Sequence, residues 1–294
     1  MFYRRKIILS LLQLFDGELE KIRLQKLLFL FTKKQEIPEY DFIPYKYGCF
    51  SYSANADLTT MVKQGLLTES EISFSKNDKI DYLKIINDND RRLMAQLKLQ
   101  FFNMTSDDLM KFTYIKFPYW ARNSKKAKNI LSPEQLNSVK NSVPIDIDPV
   151  LFTIGYEGLS LEEYLNRLIK NGVNLLIDVR KNPLSMKYGF SKTRLKACCE
   201  SVNIDYIHFP QLGIESDERK ELKTQADYDE LFSDYRENSI PRTKEVQNEI
   251  LSLIIKYKLI ALTCFESNIN QCHRKYLTEA ISNLPGFEFE VKHI

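Results

Sequence analysis

The chain has 294 residues, 44% hydrophobic and 28% charged, with a formal net charge of +3 at pH 7. This length suits two domains, and the composition is typical of a soluble globular protein. The charge surplus is too small to predict nucleic-acid binding without a localised basic patch. No apolar run is long enough to predict a membrane span, so we expect no membrane association. The five cysteines, an odd number in a long chain, argue against a disulfide framework and predict a cytoplasmic protein.

The N-terminal part is predicted to be mainly helical. Apolar residues at helical spacing along 1–15 and along 22–31 predict two helices, the first an amphipathic helix rather than a signal peptide. Alternating residues on both sides of Asn77-Asp78 predict a small β-hairpin between Ile72 and Ile86, a wing on the helical unit. Helical spacing then continues to residue 140.

Two prolines and alternating acids in Asn141–Pro149 resist both helix and sheet, so this segment is predicted to be a linker. The predicted domains are therefore 1–140, mainly helical, and 150–294, joined by 141–149.

From residue 150 onwards, short apolar segments alternate with helical ones. The predicted strands are 150–154, 173–179, 204–209, 259–264 and 287–292; the predicted helices are 160–170, 192–201, 226–238, 242–257 and one starting at Gln271. This alternation predicts an α/β domain with a mostly parallel sheet and helices on both faces. Ser160 and Glu163 form a predicted capping box for the first of these helices.

Several polar residues fall where the predicted strands end. They are Tyr156, Glu157, Asp178, Arg180, His208, Cys264 and Glu266, with Ser185, Ser191 and Lys192 in the segment that follows Arg180. Because parallel strands end at one edge of a sheet, these side chains are predicted to converge. Simpler interpretations stay open: Asp178 and Arg180 as a structural ion pair, Ser191 as a helix cap, and His208 as a core histidine.

Cys272-His273-Arg274 is predicted to open a helix just after the strand ending at Cys264. At a helix N-terminus beside His273 and Arg274, Cys272 would have a lowered pKa and act as a nucleophile. As a second interpretation, Cys264, Cys272 and His273 with His208 make a four-ligand zinc set. Adjacent Cys and His are poor ligand geometry on a helix, so we predict no metal site.

A third interpretation needs no covalent chemistry: Arg180, Lys192 and Arg274 clamp a phosphate or carboxylate against helix N-termini. The predicted roles follow from these interpretations. Cys272 is the candidate nucleophile, His273 the acid or base, and Glu157 and Asp178 are orienting carboxylates. The candidate ligand-binding residues are Tyr156, Arg180, Ser185, Ser191, Lys192, His208, Cys264, Glu266 and Arg274. No cofactor is predicted.

The C-terminal motifs resemble a bacterial family known as domain of unknown function 488. The motifs are Thr153–Gly158, Leu176–Arg180, Gly189–Lys192, Tyr206–His208 with Leu212-Gly213, and Cys264–Glu266 with Cys272–Arg274. The resemblance implies a compact α/β domain whose motifs gather around one pocket, and supplies no established reaction. Ser185-Met186 departs from the family's Ser-Arg, so the resemblance implies that one anion-binding side chain is either missing or supplied by Lys187.

The N-terminal part is similar to the SocA-like or Panacea domain of antitoxins and proteolytic adaptors. The motifs are Ile22–Leu28, Tyr45–Gly48 with Phe50, and Leu58–Leu67; Cys49 stands where that family carries Pro. The resemblance implies that this part recognises a protein partner.

Together these observations predict a protein of two parts. The N-terminal part recognises a partner, and the α/β domain binds a phosphate-bearing ligand, which is a nucleotide or a nucleic acid. Whether the domain also modifies this ligand is left open by the sequence. A setting in phage defence or nucleic-acid maintenance agrees with both resemblances. The alternative is a non-enzymatic sensor or antitoxin-like adaptor, whose pocket binds a small molecule and controls a protein contact. The sequence predicts neither the reaction nor the oligomeric state.

Overall fold

A computed structural model describes residues 1–143, 148–215 and 224–294. The chain divides into two compact units, Met1–Ser142 and Val143–Ile294. Residues 144–147, within the predicted linker, lie outside the described part. No helix in the described ranges combines the length and the apolar character that a bilayer crossing requires.

The N-terminal unit is mainly helical. Its helices are α1 (Tyr3–Leu14), α2 (Lys21–Thr32), α3 (Tyr52–Lys63), α4 (Asp88–Phe101), α5 (Ser106–Lys116), α6 (Ala127–Ile130) and α7 (Pro133–Lys140). Its strands are β1 (Glu18–Glu20), β2 (Ile43–Tyr45), β3 (Gly48–Phe50), β4 (Leu67–Glu69) and β5 (Ser73–Lys76). The antiparallel pairs make a small sheet of order β1-β5-β4 and a hairpin of β2 and β3. Helix α2 is apolar on most sides because it lies inside the core of this unit.

The predicted hairpin wing exists, but its predicted position is wrong. Strands β4 and β5 turn through residues 70–72, where the Ser70 amide donates to the Ser73 carbonyl at 2.9 Å. Asn77-Asp78 makes no hairpin turn, because the Asp78 carboxylate accepts the Ile80 amide at 2.9 Å and so closes a local turn. The chain then forms a 3₁₀ turn at Tyr82–Lys84 instead of a second strand.

The C-terminal unit is an α/β fold, as predicted. Its strands are β6 (Val150–Gly155), β7 (Leu175–Asp178), β8 (Asp205–His208), β9 (Leu259–Cys264) and β10 (Glu290–His293). Its helices are α8 (Leu161–Lys170), α9 (Lys192–Glu200), α10 (Gln225–Asp234), α11 (Ile240–Arg242), α12 (Lys244–Tyr257) and α13 (Arg274–Ser282), with a π-helical turn at Tyr235–Ser239. The five strands are all parallel, in the order β10-β6-β9-β7-β8.

Helices lie on both faces of this sheet because side chains alternate along each strand. On the central strand β9, the Thr263 hydroxyl accepts a hydrogen bond at 2.8 Å from Tyr164 of α8. Its neighbour Cys264 points to the other face, into the apolar cluster built with α12 and α13. The predicted capping box of α8 is confirmed: the Ser160 side chain accepts the Glu163 amide, and the Glu163 side chain accepts the Ser160 amide.

Strand register places the functional residues at one edge. Gly155 at the end of β6 is level with Cys264, and Asp178 at the end of β7 is level with both Thr263 and His208. The carboxyl ends of β6, β9, β7 and β8 therefore lie side by side, which is where open α/β sheets bind ligands.

Candidate functional site

A pocket of about 300 Å³ opens at this carboxyl edge of the parallel sheet. Five of the predicted site residues line it: Tyr156, Arg180, Ser185, Cys264 and His273. They come from the ends of β6, β7 and β9, from the loop after β7, and from the start of α13. The fold thus brings together residues that are up to 117 positions apart in sequence (273 minus 156).

Arg180 lines the pocket and is held there by a buried ion pair with Asp178. The Arg180 guanidinium donates to the Asp178 carboxylate through Nε at 2.8 Å and Nη2 at 2.5 Å, and Asp178 is fully buried. Burial alone lowers the pKa of Arg180, but the hydrogen bonds and charge of Asp178 outweigh it and raise that pKa above its ordinary value. The structural ion pair considered from the sequence is present, and Arg180 also lines the pocket while Asp178 does not.

Further contacts hold the Arg180 side chain in one position. Its Nη1 donates to the Tyr156 hydroxyl at 2.8 Å and to the Phe190 carbonyl at 2.9 Å. The Tyr156 and Phe190 rings stack with centroids 4.3 Å apart. The Lys187 ammonium donates to the Tyr156 carbonyl at 2.9 Å, and the Lys187 amide donates to Ser185 Oγ at 3.2 Å. Lys187 therefore braces the pocket wall.

His208 and Lys192 lie behind the pocket instead of in its lining. His208 Nδ1 is 3.0 Å from Lys192 Nζ, and its Nε2 is 2.8 Å from the Arg180 carbonyl oxygen. With the lysine ammonium donating to Nδ1, the ring must carry its proton on Nε2 and donate it to Arg180. These two residues support the loop that begins at Arg180.

A cluster of two thiols and an imidazole lies at the floor of the pocket. The Cys264 and Cys272 sulfurs lie 3.8 Å and 3.9 Å from Nδ1 of His273. The other ring nitrogen of His273, Nε2, is 3.2 Å from the Val179 carbonyl oxygen. The Cys264 thiol donates to the Glu266 carboxylate at 3.1 Å.

The predicted setting of Cys272 is wrong. A 3₁₀ turn at Ile269–Gln271 precedes it, its own backbone is extended with φ −136° and ψ 135°, and α13 begins only at Arg274. Cys272 is fully buried and does not line the pocket. Burial, together with the hydrogen bond and charge of Cys264, raises the pKa of Cys272 well above its ordinary value. The expected lowering of this pKa by a helix N-terminus does not occur.

Arg274, Glu157 and Ser191 lie away from the pocket lining. The Arg274 guanidinium is buried, donates to the Glu266 carbonyl at 3.0 Å, and has no hydrogen-bond partner at Nε or Nη1. Glu157 accepts the amide and the hydroxyl of Ser267, both at 3.0 Å, and so fixes the loop after β9. Ser191 stands at the N-cap position of α9, but its side chain makes no cap hydrogen bond.

The sequence interpretation missed several lining residues, and they share a position next to the recognised motifs. They are Lys181, Asn182, Leu184, Met186, Ile214 and Phe265. Lys181 and Asn182 directly follow Arg180 at the end of β7, so the strand-end rule would have included them. Among the described residues that line the pocket, Arg180, Lys181 and His273 are basic and none is acidic.

Comparison with known protein families gives a match within the C-terminal unit. Residues 160–281 match the model of the family described as Domain of unknown function DUF488, in agreement with the C-terminal resemblance noted from the motifs. The similarity of the N-terminal unit to Panacea domains stays a prediction. A search of curated proteins finds no match for this chain.

Proposed function

We propose that the α/β unit binds a phosphate-bearing ligand, a nucleotide or a nucleic acid, in the pocket at the carboxyl edge of its sheet. The observation that supports this best is the composition of the lining, in which the described residues are basic, neutral polar or apolar. Asn182, and Lys181 once it exchanges its ion pair with Glu215 for the ligand, offer donors to an anion at a position where α/β folds commonly hold phosphate groups. Arg180 adds a planar guanidinium to the lining. Because Asp178 already holds this side chain in place, ligand binding does not have to order it.

Chemistry on the bound ligand would begin from Cys264 and His273, the thiol and the imidazole among the described lining residues. Cys272, the residue favoured from the sequence, is shielded behind them. If the pocket belongs instead to a non-enzymatic sensor, Cys264→Ala should keep ligand binding and the downstream protein contact. If the pocket is catalytic, the same variant should bind ligand and form no product.

The binding proposal is tested by calorimetric titration with inorganic phosphate, with nucleoside mono- and diphosphates, and with short oligonucleotides. Lys181→Ala removes one exposed lysine from a surface ion pair with Glu215. Lys196→Ala is its matched control, because Lys196 also lies in an exposed ion pair, with Glu200, and is outside the pocket. A hydrogen bond to a charged group contributes about 1.5–3 kcal/mol, so Lys181→Ala should weaken binding about tenfold or more and the control should not.

Equal affinities for Lys181→Ala and Lys196→Ala would contradict the proposal, as would an absence of binding to every probe. For an oligonucleotide, affinity should also fall as salt is raised, because phosphate contacts release counterions. A flat salt response would restrict the ligand to a small molecule.

We also propose that the N-terminal unit recognises a protein partner. Its support is the sequence resemblance and a second pocket of about 320 Å³, whose rim carries the aromatic residues Tyr45, Tyr47 and Phe50. A photo-crosslinking residue at position 47 should yield a discrete adduct in cells. The same group at position 99 should not, since Leu99 is exposed on α4 and is not among the residues that line this pocket. Equal labelling from both positions would count against a specific partner.

The proposed biological setting is phage defence or nucleic-acid maintenance, for which the support is the pair of family resemblances. Plating efficiency of phages on cells carrying the wild-type chain or Lys181→Ala tests it. A difference between the two strains supports the setting, and equal plating across a broad phage panel opposes the phage-defence part.

A further inference from the structure

The cluster of Cys264, Cys272 and His273 has the dimensions of a metal site. All three residues are buried, and their two sulfurs and Nδ1 lie within 4.8 Å of one another. With bonds of about 2.3 Å to sulfur and about 2.05 Å to nitrogen, a tetrahedral zinc site places sulfur and nitrogen about 3.6 Å apart. The distances here are 3.8 Å and 3.9 Å. The two sulfur–nitrogen pairs would therefore need shifts of only a few tenths of an ångström to bind one ion.

The orientation of the imidazole also suits a ligand. His273 Nε2 faces the Val179 carbonyl oxygen at 3.2 Å, and a carbonyl can only accept a hydrogen bond, so Nε2 carries the ring proton. With that proton on Nε2, Nδ1 is the ring nitrogen left to bind an ion, and it faces the two sulfurs. Metal-ligating histidines are held in this way, with the second ring nitrogen donating to a carbonyl or carboxylate.

The backbone allows the side chains of two adjacent residues to face one point. Cys272 is extended and His273 is the residue before α13, so the pair is not constrained by helical geometry. The objection raised from the sequence, that adjacent Cys and His are poorly placed on a helix, therefore does not apply. His208, included in the sequence-based ligand set, is not part of the cluster, because its two ring nitrogens face Lys192 and Arg180.

We propose that Cys264, Cys272 and His273 bind one zinc ion at the floor of the pocket. Two thiolates and an imidazole are soft or borderline ligands, which favour zinc over magnesium or calcium. The Glu266 carboxylate contacts the Cys264 sulfur at 3.1 Å but lies outside the group of three, so it would have to move to become a fourth ligand. This metal site is a separate proposal from the binding of a phosphate-bearing ligand, and neither proposal depends on the other.

Binding exchanges two thiol protons for the ion. Each cysteine loses the proton of its S–H group, each sulfur forms a bond to Zn²⁺, and two protons pass to solvent. In the metal-free protein the Cys264 proton is shared with Glu266, and the Cys272 sulfur faces His273. A group of hydrogen-bonded thiols without metal affinity would not release protons when zinc is added.

The experiment measures metal in the whole purified chain under reducing conditions, first by elemental analysis and then by titration of the metal-free protein with Co²⁺. Cobalt is a spectroscopic substitute for zinc, and a sulfur-to-cobalt charge-transfer band reports thiolate ligands directly. We expect one zinc per chain, a charge-transfer band that saturates at one Co²⁺ per chain, and release of two protons on zinc binding. No phosphate ligand is present, so failure here is distinct from failure of the phosphate proposal.

Variants assign the ligands. Cys264→Ser, Cys272→Ser and His273→Gln should each weaken Co²⁺ binding about tenfold or more, and the serine variants should reduce the charge-transfer band. Cys198→Ser is the control, because Cys198 is also buried, on α9, outside the cluster. The proposal is overturned if the wild-type chain gives no charge-transfer band and binds no zinc, or if Cys198→Ser loses the band as the cluster variants do. The wild-type titration decides this even if a variant fails to fold.

Discussion

Removing the carboxylate of Asp178 should destabilise the α/β unit more than any change to an exposed ion pair. Asp178 is fully buried and accepts four hydrogen bonds: from Nε, Nη2 and the backbone amide of Arg180, at 2.8, 2.5 and 3.1 Å, and from the Tyr206 hydroxyl at 2.6 Å. In Asp178→Ala the buried guanidinium keeps its charge, because arginine cannot lose its proton in a protein. Breaking a buried pair in this way costs about 3–5 kcal/mol.

The matched control is Glu200→Ala, which breaks the exposed pair with Lys196, both side chains being about half exposed. Exposed pairs contribute about 0.2–1 kcal/mol, so this variant should be nearly neutral. The double variant Asp178→Ala with Arg180→Met should recover part of the loss, because it leaves no unpaired buried charge.

Hydrogen–deuterium exchange of peptides from β7 and β9 measures the effect within the correct unit. Since about 1.4 kcal/mol corresponds to a tenfold change in an equilibrium constant, Asp178→Ala should reduce the protection of these amides by at least about a hundredfold. Trp120, the one tryptophan in the chain, is in the N-terminal unit, so its fluorescence gives a separate readout of that unit. A loss of protection below about fivefold, or a double variant as unstable as Asp178→Ala, would refute the buried-charge reasoning.

Three further predictions concern other parts of the chain. A Cβ at Gly155 would lie 1.9 Å from the Glu266 carbonyl oxygen, so Gly155→Ala should displace the loop after β9 and cost about 1–3 kcal/mol; unchanged urea stability would contradict this. Burial, and to a lesser extent Asp90, raises the pKa of Tyr3 from 10.0 to about 12. The folded chain then keeps a proton that the unfolded chain releases, so the N-terminal unit should lose stability as pH rises from about 10 to about 12. Tyr3→Phe should flatten that loss in urea titrations, and an unchanged pH profile would oppose it. Ser160→Ala should remove the cap of α8 and cost about 0.5–2 kcal/mol, measured as faster amide exchange in its first turn; equal exchange would count against the cap.

Three strands of the α/β unit, β6, β7 and β9, could be predicted because they are buried along their whole length. All residues of β6 and β9 are buried, so Val150–Gly155 and Leu259–Cys264 appear in the sequence as continuous apolar runs. In the N-terminal unit, β1 has only three residues, and its pairing partner Ser73–Lys76 lies more than fifty residues away. Periodicity within a short window does not contain that information, so the three-stranded sheet was not predicted.

The site could be predicted in part, since the strand-end rule depends only on topology. It brings Arg180 and Cys264 to one pocket, as the sequence suggested. The setting of Cys272 depends on one residue of extended backbone between a 3₁₀ turn and a helix. The sequence does not reveal this residue, because polar residues such as Asn268 and Asn270 are common both at helix starts and in loops. Helix boundaries of this kind are uncertain from sequence by two or three residues. An error of that size was enough to place Cys272 at a helix N-terminus, where its pKa would be lowered, instead of in extended backbone inside the core.

The parallel sheet also bears on how this unit is made in the cell. Its central strand β9 pairs with both β6 and β7, yet eighty residues are synthesised between β7 and β9 (258 minus 178). Strand β10 pairs with β6 across 140 positions (290 minus 150). Until β9 leaves the ribosome, β6 and β7 have unpaired edges and apolar faces with nothing between them. A nascent chain stalled in that interval should therefore be a strong client for chaperones and prone to self-association, and folding should complete late and as a single step.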